Sequence, residues 1–334
     1  MEHNFQNSVR DFLQSTDVQF IESENIFWLP EHAFAIILEH APESPVESAL
    51  HYMSKSTLQS ASQFNREHFS KHDLLYLYED RWWHSQELMR GRILSRLNCF
   101  KSIFARKCKI VMGAQVQAVV QDFLEKYHSY GKAKSKYRYA LLYENEVVAV
   151  ASFSQPCPIP RNINGETVLF QSYEWIRYAS LPNVRVVGGM GRLLQAFLKQ
   201  MKQVQEQNQP LQPKNDIKQG IMPEQVSQHS SPFPIEVMSY SDNEWSAGSV
   251  YEKLGFSMVA ERQAVEYFVN RTTYERLSER KLLKLYNNLS NIEFHTQKEK
   301  IESATLLPQS FLNHFYKIKN KGSRKFLRIG FNLK

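Results

Sequence analysis

Ser239-Tyr240-Ser241-Asp242-Asn243-Glu244-Trp245-Ser246-Ala247-Gly248-Ser249-Val250-Tyr251-Glu252-Lys253-Leu254-Gly255-Phe256 reads as strand, tight turn, short helix, glycine stop and strand. Just upstream and into it, Ile235 to Tyr240 alternates apolar and polar side chains as a half-buried strand does. Asp242 or Asn243 is placed to cap the next helix by accepting from its free N–H groups. Gly255 falls where a helix ends in a left-handed residue, and Phe256 opens the next strand. Read from the residues alone, Tyr251 is an ordinary Tyr at the core edge with a satisfied hydroxyl.

The whole chain sets the bounds. At 334 residues it exceeds the usual size of one domain, so two units are expected. A hydrophobic fraction of 42% supports buried cores and argues against disorder. The formal net charge is +7. From Asn313 to Lys334 there are seven basic residues and no acid: Lys317, Lys319, Lys321, Arg324, Lys325, Arg328 and Lys334. That stretch alone equals the net excess. A basic end interleaved with aromatics points to an anionic polymer, nucleic acid first, or else to a solvated terminus. The three cysteines, Cys99, Cys108 and Cys157, match no zinc spacing, and their odd number argues against a disulfide framework. No metal is expected, and a reducing compartment fits. The start Met-Glu-His-Asn-Phe-Gln is polar, so no signal peptide is expected. The longest apolar run, Ala33 to Leu38, is far too short to span a bilayer. A cytoplasmic protein without membrane contact is the expectation.

Along the chain, residues 1 to about 78 read as a small α/β unit. Asn25–Leu29, Ala33–Leu38 and Leu74–Tyr78 read as strands, and Glu47–His72 as helical. Trp82–Leu97 reads as one helix. Gln115–Tyr127 reads as an amphipathic helix with Val116, Val119, Val120, Phe123 and Leu124 on its apolar face. Tyr137–Tyr143 and Val147–Phe153 form a hairpin across Glu144-Asn145-Glu146. Ser172–Ala179 is a strand, and Arg192–Val204 a helix behind a glycine cluster. Gln203–Pro234 is rich in Gln, Pro and Ser and reads as a long inserted loop. Val265–Val269 is a strand, and Tyr274–Leu285 a basic helical stretch. Phe315–Ile318 and Phe326–Ile329 read as a closing hairpin.

Four places carry candidate chemistry. Gly188, Gly189 and Gly191, followed by Arg192, precede a helix, where backbone N–H groups and a partial positive charge can hold a phosphate. The same glycines equally serve close strand–helix packing. His128, at the end of the Gln115–Tyr127 helix, is a base near neutral pH or a favourable charge partner of the helix end. Alternation sets Glu174 and Arg177 on opposite faces of their strand, and a charge in a central strand needs a partner or a ligand. Asp242 lies just past a strand end, where a parallel-type crevice opens, and is either a proton acceptor for an amine or a cap.

Tyr251-Glu252-Lys253-Leu254-Gly255-Phe256 resembles the last helix–strand unit of GNAT acyltransferases. More fully, the chain from about Tyr76 resembles the GNAT-like domain attached to phage homing endonucleases. The resemblance rests on Tyr78-Glu79-Asp80-Arg81-Trp82, Ile103-Phe104-Ala105-Arg106-Lys107-Cys108, Phe123-Leu124-Glu125-Lys126-Tyr127-His128, Val186-Val187-Gly188-Gly189, Ser239-Tyr240-Ser241-Asp242 with Trp245-Ser246, and Tyr316-Lys317-Ile318 with Lys325-Phe326. It implies that Tyr251 reprotonates the leaving thiolate of coenzyme A. It also implies that the Gly188–Arg192 turn holds the pyrophosphate of acetyl-CoA or another acyl-CoA. The family turn is Gln/Arg-x-x-Gly-x-Gly/Ala. Gly189-Met190-Gly191 fits its glycines, but its first position falls on Val186, with Arg185 one residue early. More distantly the domain is similar to Mom-type DNA modification proteins, whose His, Asp and Tyr positions fall on His128, Asp242 and Tyr251. The N-terminal part resembles a very-short-patch-repair-like nuclease of the PD-(D/E)xK class. There Ile26 stands at the metal-binding Asp position and no Lys follows Glu39, which implies an inactive remnant.

The resulting expectation is an α/β (α+β) chain. It comprises a degenerate nuclease-like unit (1–80), a connecting helix (81–104), a GNAT-like domain (105–270, with 203–234 inserted) and a basic C-terminal extension (271–334). The implied function is acyl transfer to an amine on or at nucleic acid, DNA rather than RNA. Asp242, His128 and Tyr251 would be catalytic, and Lys317, Lys319, Lys321, Arg324, Lys325 and Arg328 would contact nucleic acid. The alternative is a non-catalytic DNA- or RNA-binding protein derived from a homing-endonuclease-like element.

Overall fold

A computed structural model describes residues 4–42, 74–207, 233–294 and 303–330. The helical stretch read at Glu47–His72 lies outside them, as does 208–232 of the inserted loop. In chain order the elements are α1 (Phe5–Gln14), β1 (Ile21–Ser23), β2 (Ile26–Leu29), β3 (Phe34–Glu39), β4 (Leu74–Tyr78), α2 (Glu79–His84) and α3 (Gln86–Arg96). Next come β5 (Lys101–Phe104), β6 (Lys109–Met112), α4 (Gln117–Tyr127), β7 (Tyr137–Tyr143), β8 (Glu146–Phe153), β9 (Cys157–Ile163), β10 (Glu166–Ser180), β11 (Val184–Val187) and α5 (Gly189–Gln207). The remainder is β12 (Ile235–Asp242), α6 (Ser249–Lys253), β13 (Ser257–Arg262), β14 (Glu266–Asn270), β15 (Arg276–Leu277), α7 (Glu279–Phe294), α8 (Gln309–Leu312), β16 (Phe315–Lys319) and β17 (Ser323–Ile329). The chain is α/β, as its sequence implies. No helix among the described residues is long and apolar enough to cross a membrane.

Two compact units form. The first comprises Met1–Phe100, Tyr240–Lys253 and Met258–Lys325; the second comprises Lys101–Ser239, Leu254–Ser257 and Phe326–Lys334. The first thus gathers residues that a linear division at 80, 104 and 270 separates.

In the first unit, β1-β2-β3-β4 make one sheet, antiparallel except for the parallel β3–β4 pair. Helix α1 starts where the Asn4 side chain accepts from the Asn7 N–H at 3.1 Å. It buries Phe5, Val9, Phe12 and Leu13, an i, i+4, i+7, i+8 stripe, against Phe27, Ile36, Leu75 and Trp82. The single helix read at Trp82–Leu97 is in fact α2 and α3, because Ser85 between them leaves the helical region at φ −142°, ψ 49°. The other sheet of this unit is β15-β14-β16.

That pairing corrects the closing hairpin. β16 pairs antiparallel with β14 (Phe268 opposite Lys317), whereas β17 belongs to a different sheet. Asn320 turns the chain between them: its buried side-chain oxygen accepts from the N–H groups of Val265 at 2.7 Å and Gly322 at 3.1 Å. A side chain bonding to backbone from far along the chain leaves no local sequence signal.

In the second unit, β6, β7, β8 and β10 run antiparallel to their neighbours, and β12 joins β10 in parallel. The β7–β8 hairpin turns, as read, at Glu144-Asn145, both with positive φ. A second hairpin, β9–β10, turns at Asn164-Gly165, again with positive φ at both residues. The sequence reading passed over β9, although Asn-Gly is the strongest short hairpin signal. Helix α4 covers one sheet face with Val120, Phe123 and Leu124. Val119, assigned to that face, is 45% exposed, since it lies a turn edge away from the stripe. Helix α5 covers the other face with Leu193, Leu194, Phe197, Leu198 and Met201. Phe197 stacks on Phe153 at 4.0 Å between ring centroids. Its burial is worth about 1.5–3 kcal/mol, plus about 0.5–1.5 kcal/mol for the ring pair.

Candidate functional site

The second unit contains a fork. Parallel pairing of β10 with β12 covers Gln171–Glu174 opposite Ile235–Met238 and then stops, although β10 runs on to Ser180. A bulge between Trp175 and Arg177 marks the point of separation, and the Ser239 hydroxyl donates to the Trp175 carbonyl there at 3.0 Å. From Arg177 to Ser180 the strand pairs with β8 on its other side. An open crevice beyond the carboxyl ends of parallel strands is where α/β sheets commonly bind ligands.

The glycine turn faces this strand. Gly188 lies at φ +78° and is exposed, which only a residue without a Cβ adopts freely. The N–H of Arg192 closes the first helical turn on the Gly188 carbonyl at 2.9 Å. A Cβ on Gly189 would stand 2.8 Å from the Tyr178 hydroxyl and 3.1 Å from Val186; one on Gly191 would stand 3.2 Å from Leu254. Gly189 and Gly191 thus serve close packing, while Gly188 presents its backbone to solvent. Arg192 donates to the Ala105 carbonyl at 2.7 Å, which anchors the turn to the segment after β5. The half-buried Tyr178 phenol is pushed well above its ordinary pKa by desolvation. It is a proton holder, not an anion.

His128 ends α4, where its N–H donates to the Leu124 carbonyl at 3.0 Å. Its Nδ1 accepts from the Tyr130 N–H at 3.1 Å. In the neutral ring that bond puts the proton on Nε2, so Nδ1, the basic nitrogen, is already engaged. The arrangement suits a donor more than a base.

Asp242 and Tyr251 lie in the first unit. Asp242 does not cap α6, which starts seven residues later at Ser249. Instead its Oδ1 accepts from the Glu244 N–H at 3.0 Å, and its carbonyl accepts from Trp245 and Ser246. This closes a tight turn directly after β12, at the place where the sequence leads one to expect the helix to start. Tyr251, half-buried on α6, donates its hydroxyl to the Tyr240 carbonyl at 3.3 Å. Gly255 has the left-handed φ of +79° expected of it.

The turn at Asp242 is held by a charged core that the sequence did not reveal. Arg276, on β15, is 3% exposed. Its Nε and Nη2 clasp both oxygens of Asp80 at 2.8 and 2.9 Å, and its Nη1 donates to Glu244 at 2.9 Å. The side chains of Asp80 and Glu244 are 2% and 1% exposed. Rings of Tyr78 and Tyr267 flank the guanidinium at 4.8 and 5.7 Å. Burial opposes the charge on Arg276, but Glu244 and Asp80 outweigh it and hold the group well above its ordinary pKa. Burial raises the Glu244 carboxyl, with Arg276 offsetting only part. Tyr78 and Tyr316 are driven far up by the same dry surroundings. The Glu244 carbonyl also accepts from the Tyr76 N–H at 2.9 Å, which joins the turn to the edge of β4. Asp80 and Glu244 each lie in a quoted sequence block; Arg276 lies in none.

The basic C-terminal residues are mostly engaged. Lys317 pairs with Glu266 at 2.9 Å, Lys321 with Glu39 at 2.5 Å and Arg324 with Glu261 at 3.2 Å. Arg328 donates to the Leu254 carbonyl at 2.8 Å, and burial lowers its pKa. Lys319 is exposed on the same face of β16 as Lys317, and Lys325 is half-buried. In the N-terminal sheet, Ile26 is buried with Ala35 and Ile37. Among the described residues no group of three or more His, Cys, Asp or Glu is placed to hold a metal ion.

No protein-family model and no curated protein matches the chain. Among solved structures it is similar to a Bacillus subtilis acetyltransferase in complex with CoA, at 12% identity and a TM-score of 0.30, over 67% of this chain and all of that one. It is likewise similar to a GNAT family acetyltransferase from Elizabethkingia anophelis with acetyl-CoA bound, at 11% identity and a TM-score of 0.31, over 67% and 99% of the two chains. A third likeness is to a probable N-acyltransferase from Enterococcus faecalis V583, at 12% identity and a TM-score of 0.28, over 49% of this chain and 35% of that one.

Proposed function

We propose that the chain is an acyl-CoA-dependent N-acyltransferase of the GNAT type whose acceptor is an amine on nucleic acid, DNA before RNA. The observation that carries this reading is the fork: β12 leaves β10 after Glu174, and the next stretch of β10 reaches the glycine turn through Tyr178. A free strand edge beside a helix N-terminus suits a ligand that has amide groups at one end and phosphates at the other. Gly188 and the first N–H groups of α5 would hold the phosphates, with Arg192 fixing the turn. When bound, acyl-CoA supplies an activated thioester carbonyl.

The residue roles are those the GNAT resemblance implies. The resemblance gives Asp242, in the first unit, the role of proton acceptor, and there one of its carboxylate oxygens already accepts from the Glu244 N–H. His128, with Nδ1 engaged, suits donating a hydrogen bond. The same resemblance gives Tyr251, also in the first unit, the role of proton donor, and there its hydroxyl is held by the Tyr240 carbonyl. An amine of a base inside a duplex must be unstacked before it reaches any such site.

Isothermal calorimetry with acetyl-CoA on the full chain tests the reading. Binding is expected for the native chain and is expected to vanish in Gly189→Glu, where a carboxylate enters the turn. No heat with the native chain sinks the cofactor assignment. Mass spectrometry of nucleosides from cells with and without the protein then reports the acceptor.

A second reading, nucleic-acid binding without chemistry, is favoured by one observation. Within the first unit, Lys317 and Lys319 share the exposed face of β16, and Arg280, Lys281 and Lys284 are exposed on α7. It predicts duplex binding that weakens steeply with salt. Duplex binding that does not change between low and high salt would remove it.

A further inference from the structure

Arg177 stands at the fork and has no acid. It follows the β10 bulge, three residues beyond the end of the β12 register, and its neighbour Tyr178 touches the glycine turn. The carbonyl of Arg177 is pinned by the Trp175 indole N–H at 3.1 Å, which fixes the backbone of the bulge. The guanidinium donates from Nη1 to its own neighbour's carbonyl, Ile176, at 2.8 Å, and from Nε to the Gly131 carbonyl at a long 3.4 Å. It lies over the Tyr130 ring at 5.7 Å. A guanidinium has five N–H donors, and these bonds occupy two. Among the described residues no carboxylate lies within ion-pair distance of it. By contrast Arg276 takes Asp80 and Glu244, and Arg161 takes the buried Glu236 through two bonds at 2.8 and 3.0 Å. Nor is the remaining donor edge sealed in the protein, since none of its nitrogens is both buried and without a partner.

A half-buried cation held by two carbonyls and a ring lacks its counter-charge. Burial already depresses its pKa, and only Glu174 and Tyr130 at longer range oppose that. The cost falls if an anion arrives. A planar fork with free donors matches carboxylate and phosphate oxygens, which it can take in pairs. The weak bond to Gly131 and the bond to an adjacent carbonyl are poor reasons to keep Arg in a central strand when Gln or Lys reaches a carbonyl as well.

We propose that Arg177 is a specificity residue: the amine acceptor carries a carboxylate or a phosphate, and the guanidinium of Arg177 binds that oxyanion at the fork. This rests on the acyl-transfer part of the proposed function alone: preference within the phosphate pair is compatible with a nucleic-acid acceptor, and preference within the carboxylate pair replaces it. The test uses the full chain, acetyl-CoA and two matched acceptor pairs, glycine against glycinamide and O-phosphoethanolamine against ethanolamine. Within at least one pair the anionic member is expected to be preferred by about tenfold or more in kcat/KM, and the pair that shows it identifies the group. Arg177→Gln is expected to bring that ratio to about one. Arg177→Lys, which keeps the charge without the fork, is expected to fall between. Transfer with equal rates within both pairs overturns the proposal and leaves the acyltransferase reading standing.

If no acceptor is used, binding decides. Acetate and inorganic phosphate are titrated by NMR into the native chain and Arg177→Gln, with matching circular dichroism as the check on folding. Shifts around Tyr130 and Gly131 that the variant loses support the oxyanion site even where acyl transfer fails. Unchanged binding in the variant, or no binding to the native chain, overturns it.

Discussion

Arg276 and Arg177 are both guanidiniums drawn into the protein, in different units, and their surroundings are opposite. Arg276 has two buried carboxylates on three of its nitrogens and tyrosine rings beside it. Arg177 has two carbonyls, one of them distant, and a single ring. The first is electrically complete. It ties β15, the start of α2 and the turn after β12 into one core, so its role is exhausted by the fold. The second is incomplete, and its deficit has the sign and geometry of a ligand. Burial alone therefore does not separate structural from functional charges; the count of opposite charges within reach does.

The largest effect expected from this contrast is on stability. Arg276→Met removes the guanidinium bonded to the buried Asp80 and Glu244 and leaves only the charge of Arg81 near Glu244, which costs about 3–5 kcal/mol. Arg177→Met removes only bonds to carbonyls, worth about 0.5–1.5 kcal/mol each at most. Urea unfolding of both variants measures the difference, and a reversal of their order breaks the contrast. Adding Asp80→Leu and Glu244→Leu to Arg276→Met is expected to recover most of the loss, because buried ion clusters replaced by packed apolar groups are often neutral.

How far the sequence reaches follows from the same pair. The blocks holding Asp80 and Glu244 were legible as motifs, and the glycine stop at Gly255 and the Glu144-Asn145 hairpin were legible as local chemistry. Local signals need only neighbours in the chain. Arg276 has its partners 196 and 32 residues away, so nothing near it announces them. The same holds for Asn320, whose bond to Val265 spans 55 residues and undoes the closing hairpin. Arg177 was legible as a question, a charge in a central strand. Its answer needed the positions of every acid around it. The basic run Lys317–Arg328 looked free for the reverse reason: its acids, Glu39, Glu261 and Glu266, are remote in sequence.

The next effect sharpens the fork. Gly189→Ala forces a methyl to within 2.8 Å of the Tyr178 hydroxyl. Overpacking of this kind costs about 1–3 kcal/mol. The shift would pass to Tyr178 and so to the backbone beside Arg177, and acetyl-CoA affinity is expected to fall with stability. Thermal unfolding with and without acetyl-CoA separates the two. A loss of stability with ligand stabilisation unchanged would detach the glycine turn from the binding site.

A smaller effect is one of slope. The folded state holds the proton of Glu244 more tightly than the unfolded chain does, because burial raises its pKa. Folding therefore takes up a proton as pH climbs from about 4.3, the ordinary Glu value, towards the raised one. Stability contributed by the protonated group is fully present below that window and declines through it. Glu244→Gln is expected to flatten that part of a plot of urea midpoint against pH. Arg177→Gln, whose group stays charged throughout, is expected to leave it unaltered.

The smallest stability effect belongs to the exposed pairs, and it carries the contrast to the basic run. Lys317 and Glu266 are 48% and 37% exposed, so Lys317→Ala is expected to cost at most about 1 kcal/mol. Its value lies in binding. A lysine that newly neutralises a phosphate adds about 0.9 to the salt slope of duplex binding. One already beside a carboxylate must exchange that partner first and adds less. Lys317→Ala is therefore expected to lower the slope by less than Lys284→Ala does, and Glu266→Gln to raise affinity by freeing Lys317. If Lys317→Ala removes a full unit and Glu266→Gln changes nothing, a surface ion pair leaves its cation available to nucleic acid. The rule drawn from Arg276 and Arg177 would then hold only in the interior, where water cannot stand in for the missing partner.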